Sequence, residues 1–309
     1  MFKNISVYRM TSGWALTSHT LETALVACPC VALAPHQAIG HGWEPIYDDA
    51  MVHLVHGQIL LQLKTEKKVV PPSALKAAIA VEVARRTDMY GRKPGKKEIR
   101  EIKDEALSNL LPFALSTTVQ TRVWIDPSNG WIVVNTGSPA RADIVVTELI
   151  RAVGKMQLQT LYLAKDVGKV MTEWLSAEDN PHDFTIDSAC ELRAIDESKA
   201  KVKYDNINLD ADDLREHIRL GKRCVKLALT WNARVSFDLT DKLKIKRIQF
   251  LDVVFEDDAT DKKADDRERQ DADFVIMTGE LNSMLSDLIE ALGGEAPREG
   301  TTDDQPSLF

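Results

Sequence analysis

Apolar residues recur at helical spacing in several stretches of the chain and alternate at strand spacing in others. Ile99, Ile102, Ala106 and Leu110 form one stripe and predict a helix over residues 96–110. Phe274, Met277, Leu281, Met284, Leu288 and Leu292 predict a longer helix that stops at Gly293-Gly294. A third helix is expected over residues 74–87, with Leu75, Ala78, Ile79 and Val83 on its apolar face. Pro71-Pro72 ends the preceding segment, and Ser73 is the expected N-cap. Ser138-Pro139 opens a fourth helix through Ile144, Leu149 and Val153. Shorter helices are expected over residues 20–27 and from an Asp210 cap through Leu214 and Ile218. Strand patterns cover residues 5–9, 52–63, 119–125 and 131–135. The last two flank Asp126-Pro127-Ser128-Asn129-Gly130, a hairpin turn in which Pro presets φ and Asn-Gly accepts positive φ. Residues 223–230, 234–239 and 243–251 predict an antiparallel meander. Lys242, Lys244 and Lys246 alternate along its third strand and so would share a face.

These patterns give an α+β chain of antiparallel sheets and amphipathic helices. Two regions are expected, 1–160 with a basic helical segment at 74–110, and 161–295 with the meander and the long helix. Residues 296–309 read as a polar, disordered tail. A length of 309 residues fits about two domains. With 44% hydrophobic and 28% charged residues the chain is an ordinary globular one, which excludes collagen, coiled-coil and mucin classes. No apolar run approaches the ~20 residues that a bilayer requires. Met1-Phe2-Lys3-Asn4-Ile5 does not have the pattern of a signal peptide. Four cysteines make no disulfide framework, so a reduced cytoplasmic protein is expected.

The formal net charge of −8 argues against a polyanionic partner, but its distribution reverses that reading. Residues 65–103 hold eleven basic and five acidic residues, and residues 199–247 hold thirteen and seven. Acid dominates 173–197, 252–273 and 280–309. Two cationic blocks brought to one surface could bind a polyanion despite the total. The candidate contacts for such a polyanion are Lys76, Arg85, Arg86, Lys93, Lys96, Lys97, Arg100 and Lys103, then Arg219, Lys222, Arg223, Lys242, Lys244 and Lys246. The plainer alternative is a set of solvated helix faces.

Other chemistry is weaker. Cys28, Cys30, His36 and His41 are spaced too tightly at the cysteines for an ordinary zinc site, and no metal is expected. Asp210, Asp212 and Asp213, or Asp265, Asp266 and Glu268, could hold Mg²⁺ as a nuclease would. A helix cap and a solvated charge run explain them more simply. No G-x4-G-K-[ST] loop is present, and no other cofactor is expected. The six tryptophans, Trp14, Trp43, Trp124, Trp131, Trp174 and Trp231, could stack on single-stranded bases, but their positions favour core packing for most.

Several strings, in order, resemble one family. They are Phe2-Lys3-Asn4 with Val7-Tyr8-Arg9, Gly57-Gln58-Ile59, Leu110-Leu111-Pro112, and Trp124-Ile125-Asp126 with Asn129-Gly130. Further on come Lys226-Leu227-Ala228-Leu229 with Trp231, Asp271-Ala272-Asp273-Phe274 with Met277-Thr278-Gly279-Glu280-Leu281, and Leu292-Gly293-Gly294-Glu295. Together they resemble the bacterial recombination-associated RdgC family over nearly the whole chain. The resemblance implies an elongated, horseshoe-like monomer that closes into a ring-shaped homodimer. It implies binding of double-stranded DNA, and also of single-stranded DNA, without sequence preference. It further implies restraint of the recombinase RecA, a role in replication and recombination, a nucleoid location and no enzymatic activity. Ring closure in the family uses an apolar side chain, typically aromatic, after Leu-Leu-Pro. Here Leu115 holds that place with Phe113 nearby, and the second contact falls near Lys203 and Tyr204. The terminal Gln305-Pro306-Ser307-Leu308-Phe309 is similar to peptides that dock on the replication sliding clamp, with Gln305, Leu308 and Phe309 as anchors.

Overall fold

The computed structural model describes residues 2–10, 16–47, 49–154, 156, 158–177, 181, 183–205, 212–256 and 265–296. The fold is α+β with two antiparallel sheets. The first contains β1 (Ser6–Met10), β2 (Ile39–Trp43), β3 (His53–Val55), β4 (Gln58–Val69), β5 (Leu115–Asp126), β6 (Trp131–Val134) and β7 (Leu158–Thr160). Its order is β2-β4-β5-β6-β1-β7, with β3 also paired to β4. The second contains β8 (Phe184–Ala194), β9 (Lys201–Asp205), β10 (Lys222–Trp231), β11 (Val235–Thr240) and β12 (Ile245–Phe250), in the order β12-β11-β10-β8-β9. The helices are α1 (Ser18–Val26), α2 (Pro72–Tyr90), α3 (Lys96–Leu110), α4 (Pro139–Val153), α5 (Val167–Ser176), α6 (Asp212–Arg219), α7 (Val253–Glu256) and α8 (Asp266–Ala291).

Local chemistry explains the turns. Asp126 accepts bonds from the Ser128 and Asn129 amides at 3.0 and 3.1 Å, and Gly130 takes φ 69°, so the β5–β6 hairpin closes as its sequence requires. Residues 52–63, expected as one strand, are two. His56 (φ 47°) and Gly57 (φ 81°) form a tight turn between β3 and β4, in the positive-φ geometry that suits strand twist. The strand also continues to Val69. Ser73 is not the N-cap of α2. That helix begins at Pro72, two residues earlier than expected, where the missing amide of proline costs nothing, and its N-cap Pro71 gives no side-chain cap.

Both faces of the first sheet are covered at its centre. Val123, Ile125, Ile132 and Val134 point to the side of α1 and α4, and meet Leu21, Leu25, Val145 and Leu149. The alternate residues Trp124, Trp131 and Val133 point to the other side, into a core shared with the second sheet, α5, α6 and α8. Two-residue alternation with both faces buried gives a continuous apolar run, as Trp131–Val134 reads. The predicted stripe of α8 is buried at Phe274, Met277, Leu281, Met284 and Leu288, and Leu292 is buried just beyond. The indole of Trp131, from the first sheet, donates to Asn282 Oδ1 at 3.1 Å. That of Trp231, from the second, donates to Asp287 Oδ2 at 2.8 Å. The sheets also meet directly, with Ile5 N donating to Ile245 O at 2.8 Å and Ile248 N to Lys3 O at 2.9 Å. The meander is part of a larger sheet, because β8 pairs with β10 and β9 pairs with β8, two strands that the sequence pattern did not predict.

Candidate nucleic-acid interface

β4 and β5 stay paired as far as Val69 opposite Leu115, and α2 and α3 are the connection between them. Beyond the covered centre of the sheet this helical pair loses its burial. α2 has no buried residue, and α3 buries only Ile102 and Ala106. The expected apolar face of α2, Leu75, Ala78, Ile79 and Val83, is half-buried, and Ile99 of α3 is exposed.

Charge on α3 is only partly sorted, since Glu101 and Asp104 are exposed among its cations. Lys96, Arg100 and Lys103 follow each other at i, i+4 and i+7 along one flank. Glu98 and Glu105 lie on the opposite flank, where arginines occupy them. Arg92 grips Glu98 at 2.8 and 3.0 Å, and Arg86 Nη2 reaches Glu105 at 2.6 Å. Arg86 also binds Glu82 at 2.9 Å, and Arg85 makes two bonds to the same carboxylate at 2.8 and 2.6 Å. Arg85 and Arg86, expected to be free for DNA, are therefore engaged, Arg85 within α2 by Glu82 and Arg86 as a bridge from α2 to Glu105 of α3. Hydrogen bonds from Arg85 and Arg86 hold the Glu82 carboxyl down to about 2, and Arg92 with the Gly95 amide does the same for Glu98. Lys76, Lys93, Lys96, Lys97, Arg100 and Lys103 are exposed and have no ion pair to a described residue.

The second cationic block separates into two groups. Arg219 lies 3.8 Å from Glu216, Arg223 lies 3.8 Å from Asp166, and Lys222 Nζ lies 3.0 Å from His217 Nδ1, all beside α6 or α5. Lys242, Lys244 and Lys246 do line one cleft, but not as alternate strand residues. Asp241-Lys242 is a turn, Leu243 takes φ 51°, and β12 begins only at Ile245. Lys244 is half-buried and donates to Ser6 Oγ at 3.1 Å, so it is held by the protein rather than extended to solvent. Burial pushes its ammonium below the ordinary lysine value. Arg193, Lys201 and Lys226 line the same cleft and were missed in the sequence, because they are scattered over three strands and one lies in an acidic stretch.

Phe113 and Leu115 are 86% and 84% exposed, and Val69, opposite Leu115, is 44% exposed. Three apolar side chains thus face solvent at the base of the helical pair. Lys203 binds Asp205 at 2.6 Å, and Tyr204 is half-buried against the core. Gln305, Leu308 and Phe309 lie outside the described residues, as do Asp210 and Trp14. Trp43, Trp124, Trp131 and Trp231 are buried, and Trp174 is packed on the core, so stacking on bases is not their role.

Among the described residues no group of three His, Cys, Asp or Glu side chains converges as a metal site. His36 faces Ser108 O and His41 faces Thr65 Oγ1, at 3.2 and 3.0 Å. Asp265 is the N-cap of α8. It accepts from the Arg267 and Glu268 amides, while the Glu268 carboxylate accepts from the Asp265 amide. No helix among the described residues is long and apolar enough to cross a membrane.

The family model described as "Putative exonuclease, RdgC" matches residues 1–295. The chain is 44% identical over 302 residues to the recombination-associated protein RdgC of Janthinobacterium sp. (strain Marseille), covering 96% of this chain and 99% of that one. It is 43% identical to the protein of the same name from Cupriavidus pinatubonensis, over 95% of this chain and 98% of that one. It is 38% identical to that of Bordetella pertussis, with the same coverage. Identity at this level along almost the whole length means that the chain belongs to the RdgC family of recombination-associated proteins.

Proposed function

We propose that the protein binds duplex DNA without sequence preference, closes around it as a homodimer and restrains RecA, acting by occupancy and not by catalysis. The observation that carries this reading is the row of cations on α3. Two of its four acids, Glu98 and Glu105, are held by Arg92 and Arg86, and on the other flank Lys96, Arg100 and Lys103 have no ion pair to a described residue. Side chains of this kind follow a phosphate backbone through counterion release and read no bases. The exposed Phe113 and Leu115 supply the apolar contact for a second copy. The polar tail ending in Leu308-Phe309 gives a separate route to the sliding clamp, and its deletion should abolish binding in a pull-down.

Gel shifts at a series of salt concentrations test the main claim. Lys97→Glu with Arg100→Glu should weaken duplex binding and flatten the salt dependence by about 1.8, at roughly 0.9 for each phosphate no longer neutralised. Unchanged binding by this variant would refute the reading. The family description favours a second one, an exonuclease. That reading requires strand cleavage on adding Mg²⁺ or Mn²⁺, lost on Asp212→Asn or Asp265→Asn, and a cleavage gel separates the two.

A further inference from the structure

A cleft of about 370 Å³ opens where the start of α4 meets β8, β9, β10 and the β11–β12 turn. Among the described residues six cations line it: Arg193, Lys201, Lys226, Lys242, Lys244 and Lys246. Only two described carboxylates, Glu191 and Asp241, line it with them. Glu191 is already engaged by Lys201 at 3.1 Å and by Arg193 at 3.5 Å. Lys226 is compensated from below by Asp238 at 2.8 Å, a buried carboxylate that it shares with Arg247. Lys242, Lys244 and Lys246 have no ion pair to a described residue.

Like charges gathered in a concave site repel one another and raise the local potential, because the walls keep water from screening them. Burial holds the Lys244 ammonium below the ordinary lysine value, with Asp143 acting against this and the neighbouring Lys246 adding to it. Arg193 lines the cleft, and its Nε is buried without a hydrogen-bond partner among the described residues. The start of α4, at Gly137 and Pro139, adds the positive end of a 15-residue helix to the same edge. The volume falls at the low end for small-ligand pockets, about 300–1,000 Å³, and is far too small to admit a duplex.

We propose that this cleft is a phosphate subsite, holding one or two phosphate groups among Lys242, Lys244, Lys246, Arg193 and Lys201. Its ligand comes from one of two sources with the same chemistry, the backbone of a single strand or a small free phosphate compound. The proposal rests on the nucleic-acid reading only for the first source. Arginine and lysine together suit such a ligand, since a guanidinium meets two phosphate oxygens at once and the ammonium groups close around the rest.

The full-length protein is titrated with inorganic pyrophosphate by calorimetry, and with oligothymidylate across a salt series. Lys242→Gln with Lys246→Gln is the variant, because both side chains are on the surface of the cleft and leave the core intact. Pyrophosphate affinity should fall at least tenfold. If strand phosphates are the ligand, the salt slope for oligothymidylate should also fall by about 1.4, at roughly 0.7 for each phosphate. Loss of pyrophosphate binding with an unchanged oligothymidylate slope supports the subsite and assigns it to a small phosphate compound. Absence of pyrophosphate binding in the unaltered protein, or equal binding in the variant, overturns the proposal. Duplex binding by the Lys97→Glu/Arg100→Glu protein is read separately, so failure of the subsite and failure of the DNA reading are distinguishable.

Discussion

Helices α3 and α8 have the same apolar period and opposite fates. α8 buries eight side chains, and both sheets reach it through tryptophan hydrogen bonds. α3 buries two, and its partner α2 buries none. Cations near α8 are consumed by structure, as Arg234 is by Glu280 at 2.7 Å. On α3 the pairing arginines come from α2 and the intervening loop, and the helix's own lysines are left in solvent. An amphipathic stripe therefore specifies a helix in both places, but only the number of layers packed on it decides whether its charged side is part of the scaffold or available to a ligand. Among the described residues one arginine–carboxylate pair, Arg86 with Glu105, crosses between α2 and α3, and a partly exposed bond of this kind contributes little.

The largest effect that would sharpen this contrast is in the core. Leu281→Ala should cost roughly 2–5 kcal/mol in urea unfolding, because Leu281 is fully buried where two sheets and a helix meet. Ile79→Ala, on the half-buried face of α2, should cost no more than about 1.5 kcal/mol. Equal costs would mean that α2 is as deeply integrated as α8. Next comes the exposed apolar base of the pair. Phe113→Ala with Leu115→Ala should change folding stability by less than about 0.5 kcal/mol, since neither side chain is buried. The same variant should lower self-association in sedimentation equilibrium, and an unaltered mass distribution would remove these two residues from the interface.

The smallest effect is acid loosening of α2–α3 alone. The folded-state values of Glu82 and Glu98 are depressed from 4.5 to about 2 by their arginine partners. A depressed carboxylate contributes stability above its unfolded value and loses it as the pH falls toward the folded one. Hydrogen exchange in residues 72–110 should therefore accelerate between about pH 4.5 and 2, and Glu82→Gln should accelerate it already at neutral pH. Protection that does not change with acid in this window would mean that packing, not ion pairing, holds the two helices together.

Helix α3, the β5–β6 hairpin and α8 were legible in the sequence because each rests on local rules: a 3.6-residue stripe, a Pro/Asn-Gly turn, a glycine stop. The turn at His56-Gly57 was hidden inside an apolar run, β8 was hidden by the acidic residues around it, and β9 is a five-residue strand with too short an alternation to stand out. Lys97 and Arg100 could be picked out as exposed cations on an amphipathic helix. Arg85 and Arg86 were not set aside in the sequence, because which rotamers reach Glu82 on the preceding turn, and that Glu105 comes from another helix, are not visible there.

By itself, then, the sequence determined the class of fold, the main elements, the family and the existence of two cationic blocks, since each of these depends on composition or on residues close together in the chain. Only the tertiary structure decided which cations are neutralised and which are concentrated. Arg193, Lys201, Lys226 and Lys242 come from separate strands and turns, and electrostatic energy depends on distance in space, not on separation along the polypeptide.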